Sequence, residues 1–317
     1  MTPSLRRVIR AVVLVPVAAW LVGRAPLAGQ VETYAADGRA PIEELYRSMD
    51  RLVAGGKWVM ETVHVDSGLP IKVLATKRKG PAVWVLAGIH GEEPAPPNAV
   101  LRSRDQLDRL AGQGIPVVLF PLCNPVGYSK NWRYPDAEKY SERTPGHSVG
   151  DSDHLLLSKE GNPRVPKATS AQADALTRKV IALAARYPPV LSLDLHEDDS
   201  LEKGYLYSQG PKGRQDRAAR AVVEKMVELK YPVLLSGKTR FDESVVDGII
   251  SDVSDGSIDE LIASTQAIVG GKLRKGPSGK SVIVVETSSK GMPLPDRVRV
   301  HAEVIKMIPE LFRLASP

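Results

Sequence analysis

Val83-Trp84-Val85-Leu86-Ala87-Gly88-Ile89-His90-Gly91-Glu92-Glu93 is the stretch that decides the fold. Its apolar run reads as a buried strand, and Gly88 and Gly91 let the chain turn sharply at its end. A second buried run, Val190-Leu191-Ser192-Leu193-Asp194-Leu195, leads into His196, and residues 281–285 form a third that leads into Glu286-Thr287. Further strands are expected at 58–65, 71–76, 115–122 and 205–208, with helices at 42–52, 98–110, 171–186, 215–230 and 298–314. Strands alternating with helices predict an α/β fold: one domain with a mixed, mostly parallel sheet and helices on both faces. Residues 123–170 show little periodicity. So long an irregular segment is uncommon in a compact domain and tends to line a site. Residues 236–280 are polar and glycine-containing, and are expected to form a lid.

The chain has 317 residues, 43% of them apolar, enough for one large core. Its formal charge of +6 misleads, because Arg6, Arg7, Arg10 and Arg24 lie in the first 29 residues, which hold no Asp or Glu. Without those four, 39 basic residues face 37 acidic ones, and no electrostatic case for nucleic acid remains. Residues 1–29 read as an export signal: a basic start, an apolar run over 11–22, and a small-residue zone ending Leu27-Ala28-Gly29-Gln30. The apolar run is short for a membrane span, so an N-terminal anchor is the alternative and no other membrane contact is expected. Gln30 stands where a lipoprotein would need cysteine. Residues 30–317 then form an exported catalytic domain, periplasmic or secreted. The one cysteine, Cys123, permits no internal disulfide and reads as a small buried residue.

Ligands of open α/β sheets bind at the carboxyl ends of the strands, where His90, Asn124, His196 and Glu286 all fall. His90 and Glu93 on one turn, joined by His196, offer two imidazoles and a carboxylate. That is the donor set of a catalytic zinc with one position left for water. Glu286 follows Val282-Ile283-Val284-Val285, where an unpartnered carboxylate is costly to bury, and is the candidate general base. Asp194 shares a strand face with His196. It would either orient that histidine or form a plain ion pair. His64, His147 and His301 lack a metal-ligand spacing.

His90-x-x-Glu93, Asn124-Pro125-x-Gly127, Trp132-Arg133, His196 and Glu286, in that order, resemble the zinc carboxypeptidase family. Its sister branch, the succinylglutamate desuccinylase/aspartoacylase-like deacylases, shares the arrangement. The resemblance runs over residues 58–312. It implies one zinc ion held by His90, Glu93 and His196, Glu286 as general base, and Arg133 polarising the scissile carbonyl. The substrate would be a peptide or, alternatively, an N-acyl amino compound. Both branches commonly carry an Asn-Arg pair that grips a substrate carboxylate. Here the matching stretch, Val149-Gly150-Asp151-Ser152-Asp153-His154-Leu155-Leu156, has no arginine. Asn124, Asp153 and His154 are then expected at the substrate, with Arg143 the nearest substitute cation. Tyr207 is the first choice for a substrate-holding tyrosine, with Tyr205 and Tyr231 behind it.

Overall fold

The computed structural model describes residues 31–316, so the expected export signal lies outside the described residues. Helix α1 (Ile42–Ala54) leads into strands β1 (Trp58–Asp66), β2 (Leu69–Thr76) and β3 (Ala82–Ala87). Helices α2 (Ala95–Arg102) and α3 (Arg104–Gly112), strand β4 (Val117–Phe120), and helices α4 (Pro125–Lys130) and α5 (Ala171–Ala184) follow. Strands β5 (Pro189–Asp198) and β6 (Tyr205–Ser208) precede α6 (Arg217–Glu228). Short strands β7 (Ser236–Lys238), β8 (Ser244–Val246) and β9 (Ile249–Ser251) then lead to α7 (Ile258–Ala263). Strands β10 (Gln266–Val269), β11 (Lys272–Lys275) and β12 (Ser281–Ser288), and helices α8 (Leu294–Lys306) and α9 (Ile308–Ala315), complete the chain.

Ten strands form one sheet in the order β1-β2-β4-β3-β5-β12-β6-β9-β8-β7. Its centre, β4-β3-β5-β12, is parallel, while β2 and β6 flank that centre antiparallel. The central strands are buried on both faces, as their unbroken apolar runs require. Beneath one face Trp84, Leu86, Val118 and Phe120 pack with Leu176 and Val180 of α5 and Ile258 and Leu261 of α7. Helices α1, α2, α6, α8 and α9 cover the other face, with α2 lying on α8 and α9 touching β5. Among the described residues, no helix is long and apolar enough to cross a membrane.

Three expectations are corrected. The helix foreseen over 98–110 begins at Ala95 and breaks at Ser103. Pro96 and Pro97 fit its first turn, where no N–H is needed. The terminal helix breaks at Met307, because Pro309 cannot donate to a continuing helix. Residues 236–280 are not one continuous lid: β7, β8 and β9 extend the sheet edge, α7 packs into the core beneath the sheet, and β11 of the β10–β11 hairpin is exposed. Strand β5 also runs past His196 to Asp198, because β12 pairs with it through Ser288.

Candidate metal centre and its surroundings

The turn after β3 sets the site. Gly88 has φ +66°, and a Cβ there would stand 2.9 Å from Leu122 Cδ1. A Cβ on Gly91 would lie 2.0 Å from the Gly127 carbonyl carbon, so only glycine lets the turn touch α4. Strand β3 pairs with β5, and β5 pairs with β12 in a register that sets Glu286 beside His196. Two strands and one turn therefore converge on a single point.

At that point His90 Nδ1 lies 2.7 Å from Glu93 Oε1, and His196 Nδ1 lies 3.0 Å from Glu93 Oε2. The two imidazole rings meet edge to face, 5.0 Å between centroids. His90, Glu93 and His196 each offer a donor atom, and all three lie within 4.8 Å of one another. Glu93 Oε2 also accepts the Glu197 N–H at 3.1 Å. Burial and the nearby Arg133 charge push His90 down to about 4, so it is a neutral imidazole at pH 7. Burial alone would raise Glu93, but His90 and His196 hold it well below the ordinary carboxylate value. Burial likewise opposes charge on His196, and Asp194 and Glu93 outweigh it, holding that imidazole well above its ordinary value.

Among the described residues, Glu286 Oε2 and Glu92 Oε2 are buried with no hydrogen-bond partner, and His196 Nδ1 has only its 3.0 Å ion-pair contact with Glu93 Oε2. Orphaned donors and acceptors are costly and rare, and usually mark a missing ion, water or ligand. Two imidazoles and a carboxylate around such an orphan fit a divalent metal of the zinc type. Burial pushes Glu286 up to about 8, with Glu93 and Asp198 adding to it against His196 and Arg133. A carboxyl titrating that near neutrality can both take and give a proton.

Arg133 reaches the cluster. Its Nη1 donates to Glu92 Oε1 at 2.8 Å and to Glu93 Oε1 at 3.3 Å. Tyr205 and Tyr207 stack edge to face on β6 beside Glu286. The Tyr205 hydroxyl donates to Asp198 and the Tyr207 hydroxyl to Glu243, each at 2.8 Å. Beneath, Asp194 Oδ2 stands 3.2 Å from His196 Nε2. Asp259 of α7 adds a further buried carboxyl within 4.8 Å of both. Burial first, then the Asp194 charge, raises Asp259 well above the ordinary value.

Other expected site residues are placed elsewhere. Asn124 is 1% exposed and fully engaged: its Oδ1 accepts the Gly127 N–H at 2.8 Å and its Nδ2 donates to the Arg133 carbonyl at 3.1 Å. Those two bonds shape the loop that carries Arg133. Asp153 binds Arg164. His154 is buried against Thr177 and Asp174 of α5, beside a cleft of about 560 Å³ that also borders Pro166 and Ile268. No hydrogen bond or ion pair joins Asp153 or His154 to the metal cluster among the described residues. Arg143 is exposed and makes no ion pair there. Tyr231 donates to the Ser288 carbonyl from a buried position. His301, 0% exposed, meets Thr287 Oγ1 at 2.9 Å, and Cys123 is buried.

Sequence reasoning passed over Glu92, Glu243 and Asp259. The doubled acid in His90-Gly91-Glu92-Glu93 was a signal for the first. Glu243 and Asp259 sit in stretches with no motif.

No protein-family model and no curated protein sequence matches this chain. Solved structures do. A candidate metallopeptidase of Shewanella baltica OS155 superposes with a TM-score of 0.69 at 19% identity, over 90% of this chain and 99% of that one. A candidate metallopeptidase of Shewanella amazonensis SB2B gives 0.67 at 20% identity, over 85% and 93%. Carboxypeptidase A of Helicoverpa armigera gives 0.61 at 14% identity, over 88% and 74%. With its parallel-centred sheet and helices on both faces, this chain has the zinc carboxypeptidase-like fold.

Proposed function

We propose that the protein is an exported, zinc-dependent hydrolase that cleaves an amide bond, most closely a metallocarboxypeptidase-like peptidase. The observation that carries this reading is the convergence of His90, Glu93, His196 and Glu286 around buried polar atoms that have no hydrogen-bond partner among the described residues. His90, Glu93 and His196 would hold one zinc ion. Bound there, zinc would supply Lewis acidity and bring a water toward ionisation near neutral pH. Glu286 takes a proton from the attacking water as its oxygen bonds to the carbonyl carbon. The same carboxyl returns the proton to the nitrogen as the C–N bond breaks, so acid and amine leave balanced. Arg133 faces the carbonyl oxygen with a fixed guanidinium that matches the developing negative charge. Tyr207, stacked on Tyr205, which pairs with Glu286 across the sheet, is the remaining candidate for holding substrate. Residues 149–156 pack against α5 and α7, which leaves the clamp on a terminal carboxylate to some other group.

The test pairs metal content of the purified protein with turnover of a mixed library of peptides and N-acyl amino acids, wild type beside Glu286→Gln. One zinc per chain, with turnover falling on the order of 10²–10⁴-fold in the variant, is the expected outcome. The products separate a peptidase from an N-acyl amino acid deacylase. A zinc-loaded wild type that cleaves no amide would remove the reading.

A further inference from the structure

Glu92 has no part in the hydrolysis outlined above, yet it makes the shortest contact of the Arg133 side chain, 2.8 Å to Nη1. The other carboxylate on that nitrogen, Glu93 at 3.3 Å, already serves His90 and the Glu197 N–H. In the proposed site Glu93 is also a metal ligand, and a cation on Glu93 would weaken its hold on a guanidinium. Glu92 has no competing duty: its Oε2 is buried without a partner.

The rest of Arg133 fits a group aimed by one anchor. Its N–H donates to the Glu138 carbonyl at 2.8 Å, and its own carbonyl accepts from Gly91 at 3.2 Å and from Asn124 Nδ2 at 3.1 Å. The backbone is therefore fixed by three hydrogen bonds. Among the described residues, Nε and Nη2 make none, so one edge of the guanidinium is free to donate. A long arginine side chain has large rotamer freedom, and a loop that fixes its Cα does not by itself fix its head.

We infer that Glu92 is a positioning residue: by anchoring Nη1 it turns the Nε–Nη2 edge of Arg133 toward the scissile carbonyl oxygen. This rests on the hydrolase reading above. Donors that are already oriented before reaction are what make an oxyanion site effective. Losing the anchor leaves the donor present but loose, so the loss is smaller than deleting Arg133 itself.

The test is a double-mutant cycle on the zinc-loaded enzyme: E92A, R133A and the pair, with E92Q as the conservative variant. Arg133→Ala lowers kcat on the order of 10²–10³-fold. E92A lowers kcat on the order of tenfold, with KM and zinc affinity unchanged, and E92Q recovers part of the loss through its neutral amide oxygen. In the R133A background E92A has no further effect. In the metal-free protein, the slowed rotation of the Arg133 guanidinium, read by NMR with labelled arginine, is lost in E92A. An E92A loss that persists without Arg133, a fall in zinc affinity, or an unchanged kcat overturns the inference while leaving the hydrolase reading intact. A wild type that turns over no amide overturns both.

Discussion

Two charged clusters, one centred on Glu93 and one on Arg164, draw on the same residue types and end differently. Arg164 spans Asp153 and Glu260 with Nη1, at 3.2 and 2.9 Å, reaches Ser254 with Nη2 at 2.9 Å, and the Leu157 carbonyl with Nε at 3.3 Å. Glu260 also accepts the Gly256 N–H at 2.9 Å and the Ser254 hydroxyl at 3.0 Å. Its carboxyl lies below the ordinary value, because these bonds to the charged form outweigh its burial. Around Glu93, by contrast, Glu286 Oε2 and Glu92 Oε2 are buried and unpartnered among the described residues. A cluster that closes on itself holds the fold. One that leaves donors and acceptors open is built for something the chain does not supply.

The sharpest way to break this contrast is to remove a member of the open cluster. His196→Ala should lower zinc affinity on the order of 10³-fold or more, by chelator competition, because a third of the donor set goes with it. Retained affinity would show that the metal, if any, sits elsewhere. Next in size is the cost of the orphaned Glu286 in the metal-free protein. Its carboxyl is raised to about 8 in the fold from an ordinary 4.5. Between those values the folded state binds more protons than the unfolded one, so stability falls as pH rises from about 4.5 to about 8 and then levels. Denaturant titrations in chelator should show a loss of about 3–5 kcal/mol across that window, and Glu286→Gln should flatten it. Equal slopes in both proteins would deny that this carboxyl is strained by burial. The smallest effect concerns the closed cluster. Arg164→Ala should cost about 1–2 kcal/mol of stability, through unpaired Asp153 and Glu260, and leave KM and kcat unchanged. A shift in substrate preference would return Asp153 to the site.

The same contrast explains what could be read from sequence. His90, Glu93, His196 and Glu286 stood out because each follows or lies within an unbroken apolar run, and such runs pair as central strands with converging ends. Arg133 came from motif order. Asp153 and His154 lay in a polar stretch opposite a missing arginine, and nothing local showed that Arg164 and α5 already engage them. Asn124 sat at a strand end like the others, but its amide closes the turn of α4. Partnership, unlike position, depends on residues far away in sequence. The early start of α2 and the break at Met307 were legible in Pro96, Pro97 and Pro309 once the first turn is allowed to accept proline; nothing local marked the break at Ser103.

The Glu93 carboxylate and the Glu197 N–H that it accepts are 104 residues apart in the chain. A cation bound across His90, Glu93 and His196 would close a loop of about the same length, and its binding energy would count toward folding. Saturating such an ion at 100 times its dissociation constant adds about 2.7 kcal/mol to the native state. For a chain whose lone cysteine forbids an internal crosslink, an ion held at this site would double as a staple, and the protein stripped of it would be easier prey for proteases.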